Sequence, residues 1–175
     1  FAKSQVALLE AILAGETDVE LDSAFKTARE ALKNFERIEP RVEPETFKGT
    51  LRPYQREGLG WMHFLQEFGF GGCLADDMGL GKTIQVLSLL EDRRLKRLAG
   101  EKIAPSLVVV PRSLVFNWKQ EAARFTPELK VKDHTSALRS HGSFEEWDVV
   151  LSTYGTLRSD VMRWQGTTFD YAILD

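Results

Sequence analysis

A single cysteine among 175 residues leaves no partner for an internal disulfide, so packing and hydrogen bonding must hold this chain together. That cysteine, Cys73, falls in an apolar, strand-like run, which predicts a buried and inert thiol. Histidine is scarce too. His63, His134 and His141 stand far apart, without the spacing of metal ligands. No apolar stretch is long enough to span a bilayer, and no signal-peptide pattern is visible. Membrane contact is therefore not expected. The cytosol is favoured, with a place at the nucleoid in a bacterium or in the nucleus of a eukaryote. Positive charge is not in excess: the net charge is -3, so no global basic field draws in a polyanion, and any nucleic-acid contact has to be a local patch. Internal repeats and low-complexity tracts are missing as well. The chain starts at Phe1 inside a helix-like pattern and stops at Asp175 directly after an apolar run, as expected of a piece of a longer protein.

What is present is ordinary in bulk. Hydrophobic residues make up 43% and charged residues 28%, enough for one globular domain with a sizeable core. The informative stretch is Leu74 to Leu90, LADDMGLGKTIQVLSLL, which reads as strand, tight loop and helix. At its centre Gly79 and Gly81 flank Leu80, so the backbone can turn sharply and approach a ligand closely. Lys82 and Thr83 then open a helix whose first N–H groups have no partner. A lysine there opposes the helix dipole unless an anion sits in front of it. The GKT pattern therefore reads as a phosphate-binding loop, with Lys82 reaching the β/γ-phosphates and the Thr83 hydroxyl on Mg²⁺. One departure is plain: the glycine that usually begins such a loop is replaced by Asp76.

The rest of the chain alternates helical and strand-like patterns. Residues 1 to about 38 read as two helices. Val6, Leu9 and Leu13 line one, and Phe25, Ala28, Leu32 and Phe35 line the other. A hairpin packed on the main domain, or the tail of a preceding one, is favoured over a partner- or DNA-binding device. Residues 39–50 carry two prolines and mixed charge and read as a linker, which places a helical segment over residues 1–46 and an α/β lobe over residues 47–175. Pro53 starts a helix with Tyr54, Gly58, Trp61, Leu65 and Phe68 as its inner stripe. A strand over 72–75, the loop, and a helix to about Leu98 follow. That helix ends in Arg93, Arg94, Lys96 and Arg97, which read as a solvated end suited to the dipole. Leu107–Val110 is a buried parallel strand. Pro111 stops it, Ser113 can cap the next helix, and Val115, Trp118, Ala122 and Phe125 form that helix's stripe. Val131 lies in a short strand. Residues 148–152 and 169–174 are two more buried strands, with a short helix after Tyr154. The expected fold is α/β, a doubly wound parallel sheet with its ligand sites at the C-terminal ends of the strands, where the loop, Pro111, Thr153 and Asp175 fall.

Four motifs stand in a fixed order: LRPYQ from Leu51 to Gln55, ADDMGLGKTIQ from Ala75 to Gln85, VVVP from Val108 to Pro111 with Asn117, Trp118 and Glu121, and LSTY from Leu151 to Tyr154 followed by Ile173-Leu174-Asp175. This order resembles the SWI/SNF-type ATPases, a branch of superfamily-two helicases that translocate on duplex DNA, over about residues 47–175.

The resemblance implies a RecA-like first lobe of a P-loop NTPase using ATP and Mg²⁺. Arg52, Tyr54, Gln55, Asp77, Met78, Gly79, Leu80, Gly81, Lys82 and Thr83 would lie around the nucleotide. Gln55 would read the adenine edge, where by itself it could equally cap its own helix. Asp175 would be the first acid of the DExx box and, with Thr83, a Mg²⁺ ligand; Lys82 and Asp175 would be the catalytic pair. Pro111, Arg112, Ser113, Ser152 and Thr153 would touch the DNA backbone, although capping explains Ser113 at least as well. The family's glutamate after Asp175, and the second lobe with its arginine fingers, would be needed for hydrolysis. These 175 residues alone are therefore expected to be hydrolytically silent. The alternatives are another P-loop enzyme, such as a nucleotide kinase, which would lack the upstream Gln, and a non-hydrolysing nucleotide-binding scaffold for protein partners.

Overall fold

The computed structural model describes residues 38–136 and 142–175. The helical hairpin expected in the first 38 or so residues lies outside the described residues, as does His141.

Four strands form one parallel sheet in the order β2-β3-β1-β4. They are β1 (Ser106–Val110), β2 (Val131–Asp133), β3 (Val149–Thr153) and β4 (Ala172–Leu174). The β-branched run Val108-Val109-Val110 takes the central place because both its faces are covered and its residues are 0% exposed. Its alternation separates two cores. Val108, Val110, Val149 and Leu151 face one layer with Leu59, Leu87, Trp118 and Ala122. Leu107, Val109 and Val150 face the other, with Phe144 and Trp164. The first layer is built by α1 (Pro53–Glu67), α2 (Lys82–Leu98) and α3 (Val115–Phe125), and α4 (Tyr154–Asp160) contributes Leu157 to the second. The doubly wound α/β expectation holds. Register pairs Val110 with Thr153 and Val109 with Leu174, so these strands end on one edge of the sheet. Among the described residues no helix is long and apolar enough to cross a membrane.

Several expectations need correction. Residues 71–77 form no strand: the chain is irregular there and Cys73 is exposed. Gly71 and Gly72 lack side chains to pack, and no ladder holds the segment, so its apolar composition alone does not make it a strand. The strand at 169–174 shrinks to an edge of three residues with Ala172 and Leu174 exposed, because only β1 pairs with it. The inner stripe of α1 is displaced: Leu59, Met62, His63, Phe64 and Leu65 are buried, while Tyr54, Gly58 and Trp61 are only half-buried, because that flank faces the glycine-flanked loop at Leu80 and a cleft. The basic end of α2 is not simply solvated. Arg93 makes a two-pronged bond to Asp170 before β4, and Arg94 pairs with the fully buried Glu91.

The segment read as a linker lies against the lobe. Arg56 grips Glu43 with two bonds of 2.9 Å, Thr46 donates to Glu91, and buried Phe47 stacks on Phe125 with centroids 5.6 Å apart. Arg41 reaches the same face, and His63 feels it.

Burial above all, with Arg41 next, pushes His63 down to about 4, against the opposing pull of Asp92 3.7 Å away. In the unfolded chain a histidine titrates near ~6.5. Between those values the unfolded chain binds the extra proton and the folded one does not, so this contribution is complete above the unfolded pKa and is lost as pH falls toward 4. Chemical denaturation should show stability falling from pH 7 to pH 4.5, with a shallower slope in His63→Gln. An unchanged slope would show that His63 carries none of it.

Candidate nucleotide site

The loop before α2 is shaped by two glycines in the left-handed region, Gly79 at φ 85° and Gly81 at φ 77°. Gly81 is also the N-cap of α2, and no side chain caps the helix. The first N–H groups of α2 are therefore available to an anion, as the sequence pattern predicts. Thr83 stands in this first turn, half-buried.

Helix α1 holds the loop from the side. The Tyr54 hydroxyl and Gln55 Nε2 each donate to the Leu80 carbonyl at 3.0 Å. Gln55 is 6% exposed, and its Oε1 accepts from the Arg52 amide at 2.9 Å, which caps the start of α1. It thus does what a capping glutamine does and also bridges to the loop. Its amide retains a second N–H and a second lone pair for a ligand.

Lys82 folds back. Its Nζ donates to the Asp76 carbonyl at 2.7 Å and to the Asp77 carbonyl at 3.1 Å. The ammonium thus rests on backbone oxygens at the loop's entrance. The side chain of Asp76, in the position where a glycine was expected, accepts from Gln85 Nε2 at 3.1 Å. Asp77 and Met78 are exposed, Met78 at 96%. An open cleft of about 780 Å³ lies beside α1 and is lined by Tyr54, Gly58, Trp61 and Asp76 among others.

At the sheet's C-terminal edge, the Asp175 amide donates to the Val109 carbonyl at 2.9 Å. Its carboxylate accepts from the Trp118 indole at 2.6 Å, and its backbone oxygen from the Tyr154 hydroxyl at 2.7 Å. Glu121, one turn along α3 from Trp118, is raised above the usual carboxylate range, by burial first, with Arg124 opposing and Asp175 adding to it.

A model of the SNF2-related domain matches residues 54–175. The chain belongs to that family. It is 42% identical over 142 residues to YwqA of Bacillus subtilis, whose name proposes an ATP-dependent helicase or translocase, covering 78% of this chain and 15% of YwqA. It is 33% identical over 144 residues to the TATA-binding protein-associated factor MOT1 of Saccharomyces cerevisiae, covering 75% of this chain and 8% of MOT1. The chain thus spans a small part of the curated relatives it matches. The fold is that of the Sulfolobus solfataricus SWI2/SNF2 ATPase core in complex with dsDNA, at TM-score 0.68 and 38% identity over 81% of this chain and 28% of that one.

In this SNF2-related lobe the residues expected around the nucleotide separate into two groups. Tyr54, Gln55, Leu80, Gly81 and Lys82 meet at the loop, whereas Asp175 is bound by Trp118, Tyr154 and Val109 at the sheet edge. The DNA-contact expectations divide as well. Pro111, Arg112 and Ser113 are exposed beyond the end of β1. Ser113 caps nothing: it sits inside a 3-10 turn, Arg112–Leu114, and α3 starts without a side-chain cap. Ser152 is 0% exposed, so its hydroxyl does not reach a phosphate in this arrangement. The Thr153 hydroxyl is engaged as the cap of α4, accepting from the Thr156 amide at 3.2 Å. The cover on both faces of β3 accounts for Ser152, and a helix-start signal for Thr153. Gln85 stood in its motif without an assigned role and Trp118 was assigned only to a helical stripe, because such a stripe does not reveal which polar group reaches across to a loop or a strand end.

A Cβ added at Gly81 would lie 2.5 Å from Gln55 Nε2 and would need the left-handed backbone. Gly81→Ala should therefore cost about 1–2 kcal/mol of backbone strain and break the grip on Leu80. The expected result is faster amide hydrogen exchange over residues 78–82 with little change in the sheet. Equal exchange in both proteins would refute the clasp.

Proposed function

We propose that this lobe binds ATP·Mg²⁺ and that, in the whole protein, it works against a second RecA-like lobe to hydrolyse ATP and translocate on double-stranded DNA. The observation that carries the reading is the uncapped start of α2 behind the Gly79–Gly81 turn, with Lys82 beside it. A polyphosphate would accept N–H groups from the helix start and draw the ammonium off the Asp76 and Asp77 carbonyls. Tyr54 and Gln55 would bring adenine recognition to the same loop. Family membership, and the DNA complex of the Sulfolobus core, support the motor reading.

By donor type Mg²⁺ is suited, since Thr83 on the loop offers a hydroxyl and Asp175 at the sheet edge, held by Trp118, a carboxylate, both hard oxygen ligands. Bound there, the ion would neutralise charge on the phosphates. For DNA, the exposed Arg112 and Ser113 and the backbone after Pro111 offer a local phosphate-contacting patch on a lobe without net positive charge.

Lys82→Ala in the intact protein should reduce DNA-stimulated ATP turnover by about 10²–10³-fold, the scale of one lost electrostatic contact to the transition state, while the unfolding midpoint stays put. An unchanged rate would remove Lys82 from the site. A separate measurement addresses the base. Gln55→Ala should narrow the difference between ATP and GTP affinity, and full retention of that difference would show that adenine is read elsewhere.

A further inference from the structure

We infer that Gln85 is a positioning residue of the nucleotide site: it pins Asp76, and through Asp76 the entrance of the phosphate loop, so that the loop is fixed at both ends before a nucleotide arrives. This deepens the ATP-binding reading and rests on it.

Gln85 is 0% exposed, in the first turn and a half of α2. Its Nε2 donates to Asp76 Oδ2 at 3.1 Å, and its Oε1 is buried without a hydrogen-bond partner. A buried amide with an unsatisfied oxygen is costly, and a leucine or methionine would fill the same volume without that cost. The amide is therefore in place for what its nitrogen does. The neighbouring helix is cut to fit it: a Cβ at Gly58 would fall 2.0 Å from Gln85 Oε1, so any larger residue there would drive the amide away from Asp76.

Asp76 matters because of its other end. Its backbone carbonyl is the closer of the two oxygens that hold Lys82 Nζ, at 2.7 Å against 3.1 Å for Asp77. Gln85 thus fixes by its side chain the residue that stores the phosphate-reaching ammonium. At the far end of the loop, Tyr54 and Gln55 hold Leu80. Between these two anchors residues 77–79 turn through the exposed segment of the loop. A loop tethered at both ends loses less conformational freedom when a ligand orders it, so removing one tether should weaken binding without touching any atom that meets the ligand.

The test uses the intact protein, with equilibrium binding of a slowly hydrolysed ATP analogue and the unfolding midpoint measured on each variant. Gln85→Met keeps the volume and removes the donor. It should fold normally and bind the analogue roughly tenfold more weakly, the scale of one charge-assisted hydrogen bond. Gln85→Glu sets a carboxylate against Asp76 and should weaken binding further. Asp76→Asn added to Gln85→Glu reverses the direction of the bond, with the asparagine amide donating to the new carboxylate, and should restore most of the affinity; Asp76→Asn alone closes the cycle. Wild-type affinity in a folded Gln85→Met protein would overturn the inference, as would a double variant that binds no better than Gln85→Glu. Lys82→Ala separates the two readings. If it abolishes binding while the Gln85 variants bind as wild type, only the positioning role falls. If it binds as tightly as wild type, the phosphate site itself is misplaced and the positioning role falls with it.

Discussion

The Leu80 carbonyl is the point on which the site depends. A backbone oxygen in a glycine-flanked loop has little to define its position, and here two donors from one helix, the Tyr54 hydroxyl and Gln55 Nε2, define it. Those side chains are themselves placed by Pro53, which fixes the start of α1, and by the Arg52 amide that turns Gln55 inward. Without this clasp, Gly79 and Gly81 would give the loop freedom and nothing to restrain it. With it, the start of α2 is presented in one arrangement. The LRPYQ and GLGKT motifs, 25 residues apart at Gln55 and Leu80, are thus two halves of one device.

The sheet provides a second centre. Strands β1, β3 and β4 run parallel and in register, so the residues that follow them gather on one edge by geometry alone. Helix α3, entered directly from β1 after Pro111, passes close enough for Trp118 to bind the Asp175 carboxylate. The exposed Arg112 and the buried indole of Trp118 therefore belong to one short stretch, the first facing solvent and the second facing the sheet edge.

Much of this was legible in the residues, for identifiable reasons. Val108-Val109-Val110 could be read as a buried parallel strand because a continuous β-branched run leaves no polar alternation. The end of α2 at Leu98 and the short helix after Tyr154 followed from local periodicity. What failed depended on partners distant in sequence. Cys73 and its neighbours look like a strand, yet a strand exists only where another pairs with it, and none does. Arg93 looks like a solvated helix end until Asp170, 77 residues away, is brought beside it. Ser152 carries a hydroxyl suited to a phosphate, but β3 is covered on both faces and buries it. In the candidate site, the glycines and Lys82 were visible from spacing. The bond between Gln85 and Asp76 was not, because it depends on the space left by Gly58 on another helix.

The two edges of the sheet differ in what they present to a neighbouring strand. On one side β2 is short and carries Lys132 and Asp133, charges that discourage another strand from pairing there. On the other, β4 offers Ala172, Ile173 and Leu174 with two of the three exposed, and only β1 occupies its inner side. Among the described residues no strand pairs with the outer side of β4, so its backbone donors and acceptors lie beside apolar side chains with no ladder of their own.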